Sequence, residues 1–174
     1  GGGREHAIIK KIKENKNVTE IFALPGNGGI AKDAVCVNIG AKDIEGITKF
    51  AADNAIDFAV VAPDDPLVLG AVDSLSAIGV PCFGPAANAA IIEGSKVFSK
   101  NLMKKYNIPT ARYEVFSAAA DALGYIENCT YPIVIKADGL ALGKGVVIAM
   151  TRDEAKDAVR SMMEDKMFGE SGSR

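Results

Sequence analysis

Residues 131–150 read YPIVIKADGLALGKGVVIAM. Residues 132–136 form a short apolar run, rich in β-branched side chains, that ends in Lys136, and residues 146–150 form a second such run. The intervening stretch carries Gly139, Gly143 and Gly145 together with one further cation, Lys144. Two strand-like runs joined by a glycine-rich loop predict a β-hairpin whose loop is longer than a tight turn. Glycine lets backbone N–H groups approach an anion without a Cβ in the way. Lys136 adds a point charge at the hairpin base. The pattern is that of a flap over phosphates, with an ordinary flexible hairpin as the plainer alternative.

Two other phosphate motifs do not match. A G-x-x-x-x-G-K-[ST] loop lies between a strand and a helix. Here Asp138 stands where its first glycine belongs, Gly145 replaces the hydroxyl residue, and a strand-like run follows. The kinase glycine loop carries its lysine on the following strand, whereas Lys136 precedes this loop.

Composition sets the wider bounds. A chain of 174 residues, 48% hydrophobic and 24% charged, can bury one good core or two small ones. A formal net charge of −2 gives no electrostatic case for a nucleic-acid or membrane partner. Cys36, Cys82 and Cys129 are far apart and in no metal-ligand spacing. They suggest buried thiols in a reducing, cytoplasmic setting. No signal peptide or membrane-length apolar run is visible. The chain starts on Gly1-Gly2-Gly3 and then turns helical, whereas a glycine loop that opens a helix normally follows a strand. With the polar ending FGESGSR, this suggests a piece of a longer protein.

Outward from the hairpin, the Thr151-Arg152-Asp153-Glu154 box predicts a helix with Ala155, Ala158, Val159 and Met162 inward. Residues 111–116 are expected to begin a strand region, and Ser117 is a cap for a helix running to about 128. Residues 88–94 and 95–106 read as consecutive helices. In the second, Lys96 and Lys100 lie one turn apart and suit an anion, although a solvated basic face is the default.

Toward the N-terminus, residues 4–15 form an amphipathic helix whose glycine start would present N–H groups to a phosphate or carboxylate. His6 stands where a dinucleotide fingerprint needs glycine and reads as a polar residue of the first turn. Strands are expected at 20–24, 35–39, 57–62 and 80–83, with helices at 43–54, from an Asp43 cap, and at 67–78. The first of these strands ends in Pro25-Gly26-Asn27-Gly28-Gly29, and the third is followed by Asp64-Asp65. Ligands of open α/β sheets bind at such carboxyl ends. The two carboxylates suit a sugar or amine, or Asp65 merely caps the next helix. This rhythm predicts an α/β fold: a Rossmann-like open parallel sheet with helices on both faces, followed by a small α+β lobe.

Taken together, GGREHA at the start, PGN at 25–27, PDDPL at 63–67, FGP at 83–85, EGSK at 93–96, IPTA at 108–111 and IVIKADGLALGKGV at 133–146 resemble the phosphoribosylamine–glycine ligase (glycinamide ribonucleotide synthetase) family of ATP-grasp enzymes. The resemblance runs over the whole chain. It implies a Rossmann-like substrate domain at 1–94, a helical connection at 95–111 and an incomplete small ATP-grasp lobe at 112–174, truncated at both ends. It implies a cytoplasmic ligase of de novo purine synthesis acting on ATP, glycine and 5-phosphoribosylamine, by way of glycyl phosphate.

The resemblance assigns ATP contacts to Lys96 and Lys136, with Asp138, Gly139, Gly143, Lys144 and Gly145 as the flap. Gly3, Arg4, Gly26, Asn27 and Asp64 are expected to face the phosphoribosylamine; the family usually carries glutamate where Asp64 stands. Ligands for Mg²⁺ or Mn²⁺ are expected beyond Arg174, so this stretch alone should be inactive. The alternatives are another ATP-grasp carboxylate–amine ligase of purine synthesis, against which the PGN and GGREH loops argue, and a non-catalytic nucleotide-binding module.

Overall fold

The computed structural model describes residues 1–139, 145–165 and 167, and the chain falls into two units, Gly1–Ala90 and Ile91–Arg174. The first opens with helix α1 (Gly3–Lys13). The Glu5 carboxylate reaches back to accept the Gly2 N–H at 2.6 Å, and Lys10, Lys11 and Lys13 crowd the last turn. An acid at the start and bases at the end both suit the helix dipole.

Strand β1 (Phe22–Ala23) pairs in parallel with β2 (Val35–Cys36). Helix α2 (Ile44–Asp53) begins at Asp43, as its sequence suggests, with the carboxylate accepting from Gly46 N–H at 2.9 Å. Strand β3 (Ala59–Val60) then pairs in parallel with β4 (Cys82–Phe83).

Between these strands the helix expected at 67–78 is two helices, α3 (Asp64–Val68) and α4 (Ala71–Ala77). Gly70 separates them with φ of +85°, a left-handed conformation that ends a helical run. Ala51 of α2, Leu75 of α4 and Val80 form the buried centre, with Ile47, Ile56 and Val61 packed around it.

The strands are parallel, as expected, but the two pairs do not join into one sheet. A cavity of about 490 Å³ is lined by residues of both β1 and β3, with Ile9, Phe22, Phe50, Ala59 and Leu75 among its walls.

Helix α5 (Ala87–Gly94) leads to α6 (Lys96–Lys105), whose cap is Ser95, accepting from Phe98 N–H at 3.0 Å. The strand expected at 111–116 does not form. Lys100 Nζ donates to Thr110 Oγ1 and to the Ala111 carbonyl, and Tyr113 donates to Asn101. These bonds lay the segment along α6, where it has no ladder partner.

Helix α7 (Ala119–Ile126) starts after Ala118, so Ser117 lies one residue too early to cap it. Strands β5 (Ile133–Lys136) and β6 (Val146–Ala149) form the antiparallel hairpin, Lys136 opposite Val146.

Helix α8 (Arg152–Val159) is capped by Thr151, which accepts from Glu154 N–H at 3.3 Å. Glu154 returns one residue further than a standard box, to Met150 N–H at 2.8 Å. A π-turn over Arg160–Glu164 continues it. Ala122, Ile126, Ala149, Ala155 and Val159 make the core of this unit. The expectation of buried thiols does not hold: Cys36 is exposed, and Cys82 and Cys129 are half-buried. No helix among the described residues is long and apolar enough to cross a membrane.

Candidate functional site

In the first unit two glycine-bearing turns meet. The Asn27 side-chain amide donates to the Gly1 carbonyl at 2.6 Å. Its carbonyl oxygen accepts from Gly29 N–H at 2.8 Å and Ile30 N–H at 2.9 Å. Asn27 is thus the bracket that holds the start of α1 against the loop after β1. Both its amide and its carbonyl are engaged within the protein.

Gly26 has φ of +75°, and a Cβ there would run into Cys36 Sγ. Its glycine is required by packing as well as by conformation. Gly3 is different: a Cβ there would meet nothing nearby, and Arg4 is exposed beside it. Behind this surface His6 Nε2 meets Asp33 Oδ2 at 2.9 Å, and Lys13 donates to the other oxygen at 3.2 Å. The bonds from His6 and then Lys13 hold the Asp33 carboxyl below its ordinary range. His6 is therefore a partner of Asp33 within this unit.

Of the acidic pair, Asp65 is bound by Lys42 at 2.8 Å. It caps nothing, because α3 begins at Asp64 with Pro63 in the cap position. Asp64 is exposed in the first turn.

The second unit holds the hairpin. Side chains alternate across a strand pair. Ile133 and Ile135 pack toward the α7–α8 core. Lys136 shares the outer face with Val134, Val146 and Ile148, which are 54%, 42% and 64% exposed. A cation thus sits at the end of an exposed apolar strip.

The loop begins at Ala137, whose N–H donates to the Gly145 carbonyl at 2.9 Å. Gly139 follows in a left-handed conformation, φ +104°. Lys96 Nζ donates to the Gly139 carbonyl at 2.8 Å, so the structure brings Lys96 to the loop that follows Lys136. Asp138 faces the same helix: it accepts from Ser95 Oγ at 3.0 Å and from Val97 N–H at 3.1 Å.

Lys100, one turn further along, is spent on Thr110 and Ala111 and lies 5.5 Å from the Tyr113 ring centre. Gly143 and Lys144 lie outside the described residues. Sequence reading missed Ser95 and the Val97 N–H as partners of Asp138. Ser95 caps α6, but nothing local in the sequence marks a carboxylate 43 residues away.

Comparison with known proteins identifies the family. Residues 1–93 match the model described as "Phosphoribosylglycinamide synthetase, N domain". Residues 94–174 match "Phosphoribosylglycinamide synthetase, ATP-grasp (A) domain". A phosphoribosylamine–glycine ligase of Caldanaerobacter subterraneus is 48% identical over 99% of the chain, as is one of Vibrio cholerae. The chain spans 41% of the length of each.

A crystal structure of phosphoribosylamine–glycine ligase from Thermotoga maritima superposes with a TM-score of 0.73 at 30% identity, over 94% of this chain and 38% of that one. A biotin carboxylase domain of a 2-oxoglutarate carboxylase shares the fold alone, at a TM-score of 0.50 and 15% identity over 95% of this chain and 40% of that one. With both halves matched in order, the chain belongs to the phosphoribosylglycinamide synthetase family.

Proposed function

We propose that this chain is the substrate domain and part of the ATP-binding lobe of a cytoplasmic ligase that joins glycine to 5-phosphoribosylamine in purine synthesis. The glycine carboxylate attacks the γ-phosphorus of ATP, and ADP leaves. The amine of phosphoribosylamine then attacks the glycyl phosphate carbon, and inorganic phosphate leaves as the amide of glycinamide ribonucleotide forms. The observation that carries this reading is the match of both halves, in order, to successive domains of one synthetase family.

Placement supports a reading of the residue roles. Lys136, at the end of an exposed apolar strip, suits a planar base on the strip and phosphates at the cation. Lys96 and the backbone of Gly139 and Gly145 border the same loop. In the first unit Gly3, Arg4, Gly26 and Asp64 present the surface for phosphoribosylamine, and Asn27 supports it by bracketing the two turns. The described residues hold no group of three His, Cys, Asp or Glu that could bind Mg²⁺ or Mn²⁺.

Titration of ATP into the Lys136→Ala and Lys100→Ala variants tests the nucleotide assignment. Loss of a charge-assisted hydrogen bond of about 1.5–3 kcal/mol weakens binding roughly ten- to hundredfold for Lys136→Ala. Lys100→Ala should leave affinity within about twofold, since its amine is engaged by Thr110 and Ala111. Equal affinities would remove Lys136 from the site. Glycine- and phosphoribosylamine-dependent ADP release by a full-length ligase carrying this chain tests the reaction itself.

A further inference from the structure

We propose that Asp138 is a positioning residue: its carboxylate binds helix α6 rather than nucleotide or metal, and it thereby sets where Lys96 sits against the hairpin. Asp138 accepts from Ser95 Oγ through both oxygens, at 3.2 and 3.0 Å, and from the Val97 N–H at 3.1 Å. Ser95 is meanwhile the cap of that helix, accepting from Phe98 N–H. The carboxylate thus completes a cap that Ser95 begins, at the end of α6 where a negative charge is favoured. With these donors attached, its oxygens are turned to the helix.

The latch matters because, among the described residues, little else fixes α6 there. No residue of α6 is buried, and the core of its unit is built from Ala122, Ile126, Ala149, Ala155 and Val159. Lys100 and Asn101 bind Thr110, Ala111 and Tyr113, all on the segment that follows the helix. Among the described residues, the hydrogen bonds from the start of α6 to the hairpin loop are those of Ser95, Lys96 and Val97 to Asp138 and Gly139. Lys96 follows directly on Ser95, so a carboxylate that pins residues 95 and 97 also pins the backbone carrying the amine. A helix held by polar bonds at one end pivots when they are lost.

The role of Lys96 toward a nucleotide rests on the function proposed above, whereas the latch itself does not. Two readouts keep them apart. Without nucleotide, amide exchange at Val97 and the rate of reductive methylation of Lys96 report the latch. Titration with ATP reports the consequence. Asp138→Ala should speed Val97 exchange at least tenfold, raise Lys96 labelling severalfold and weaken ATP binding. Asp138→Asn keeps an oxygen for the Val97 N–H and should recover most of the protection and most of the affinity. Ser95→Ala leaves the charge of Asp138 intact and should give an intermediate change in all three.

The opposite pattern overturns the proposal. In it, Val97 exchange and Lys96 labelling are unchanged in Asp138→Ala, ATP affinity is lost equally in the Ala and Asn variants, and Ser95→Ala has no effect. That pattern would make Asp138 a direct ligand. If exchange and labelling respond as expected while neither the full-length ligase carrying this chain nor any of its variants binds ATP, the latch stands and the nucleotide reading falls.

Discussion

Gly26 shows how one residue can serve a turn and a contact together. Its φ of +75° lies in the left-handed region, and Cys36 Sγ occupies the space a side chain would need. Alanine there pays a left-handed penalty of about 1–2 kcal/mol and an overpacking penalty of about 1–3 kcal/mol. Gly26→Ala should therefore lower the unfolding free energy by about 2–5 kcal/mol in urea titration. Adding Cys36→Ala relieves only the second term, so the double variant should recover part of the loss. Full additivity of the two changes would show that the thiol is not the obstacle. Asn27 makes the complementary case, since its side chain holds Gly1, Gly29 and Ile30 in one bracket.

Between elements, charge does work that the small core leaves undone. Glu127, just after α7, is bound by Lys156 at 2.5 Å and by Arg152 at 3.1 Å, both on α8. The hydrogen bond from Lys156 comes first and the charges of Lys156 and Arg152 add to it, against the opposing effect of burial. Together they hold the Glu127 carboxyl below its ordinary value of 4.5. A lowered folded pKa means that the unfolded chain takes up the proton more readily. The stabilisation is therefore complete above pH 4.5 and is lost as the pH falls through the lowered value. Urea midpoints measured from pH 7 down to pH 3 should fall more steeply for the parent chain than for Glu127→Gln. Parallel profiles would mean that the pair contributes nothing to the coupling of α7 and α8.

Across the whole molecule, the two units differ in how their strands are secured. In the first, β1–β2 and β3–β4 are two-residue pairs, and a cavity of about 490 Å³ is lined by residues of both β1 and β3. In the second, four residues of β5 pair with four of β6, over a core that includes the fully buried Ala149 and Ala155. Short ladders beside a cavity open at low cost. Backbone amides of Val35 and Val61 should therefore exchange faster than those of Ile135 and Val147. Slower exchange in the first unit would show that its strand edges are covered in solution.

Helix ends, strand polarity and the hairpin were legible in the chain because caps, alternation and glycine act over a few residues. Asp43 and Thr151 announce their helices, and PIVIK and GVVIA announce the hairpin. Lys136, at the end of its strand, was placed by the same local logic. Where the sequence misled, a distant partner or the geometry of a single residue intervened. Gly70 divided a helix that periodicity alone carries through. Thr110, Ala111 and Tyr113 followed α6 because Lys100 and Asn101 bind them. Asp138 reads locally as a flap residue, yet its donors lie on a helix 41 and 43 residues earlier. Such choices belong to tertiary structure, because a carboxylate takes whichever N–H and O–H groups the fold brings within 3 Å, and sequence distance carries no trace of that meeting.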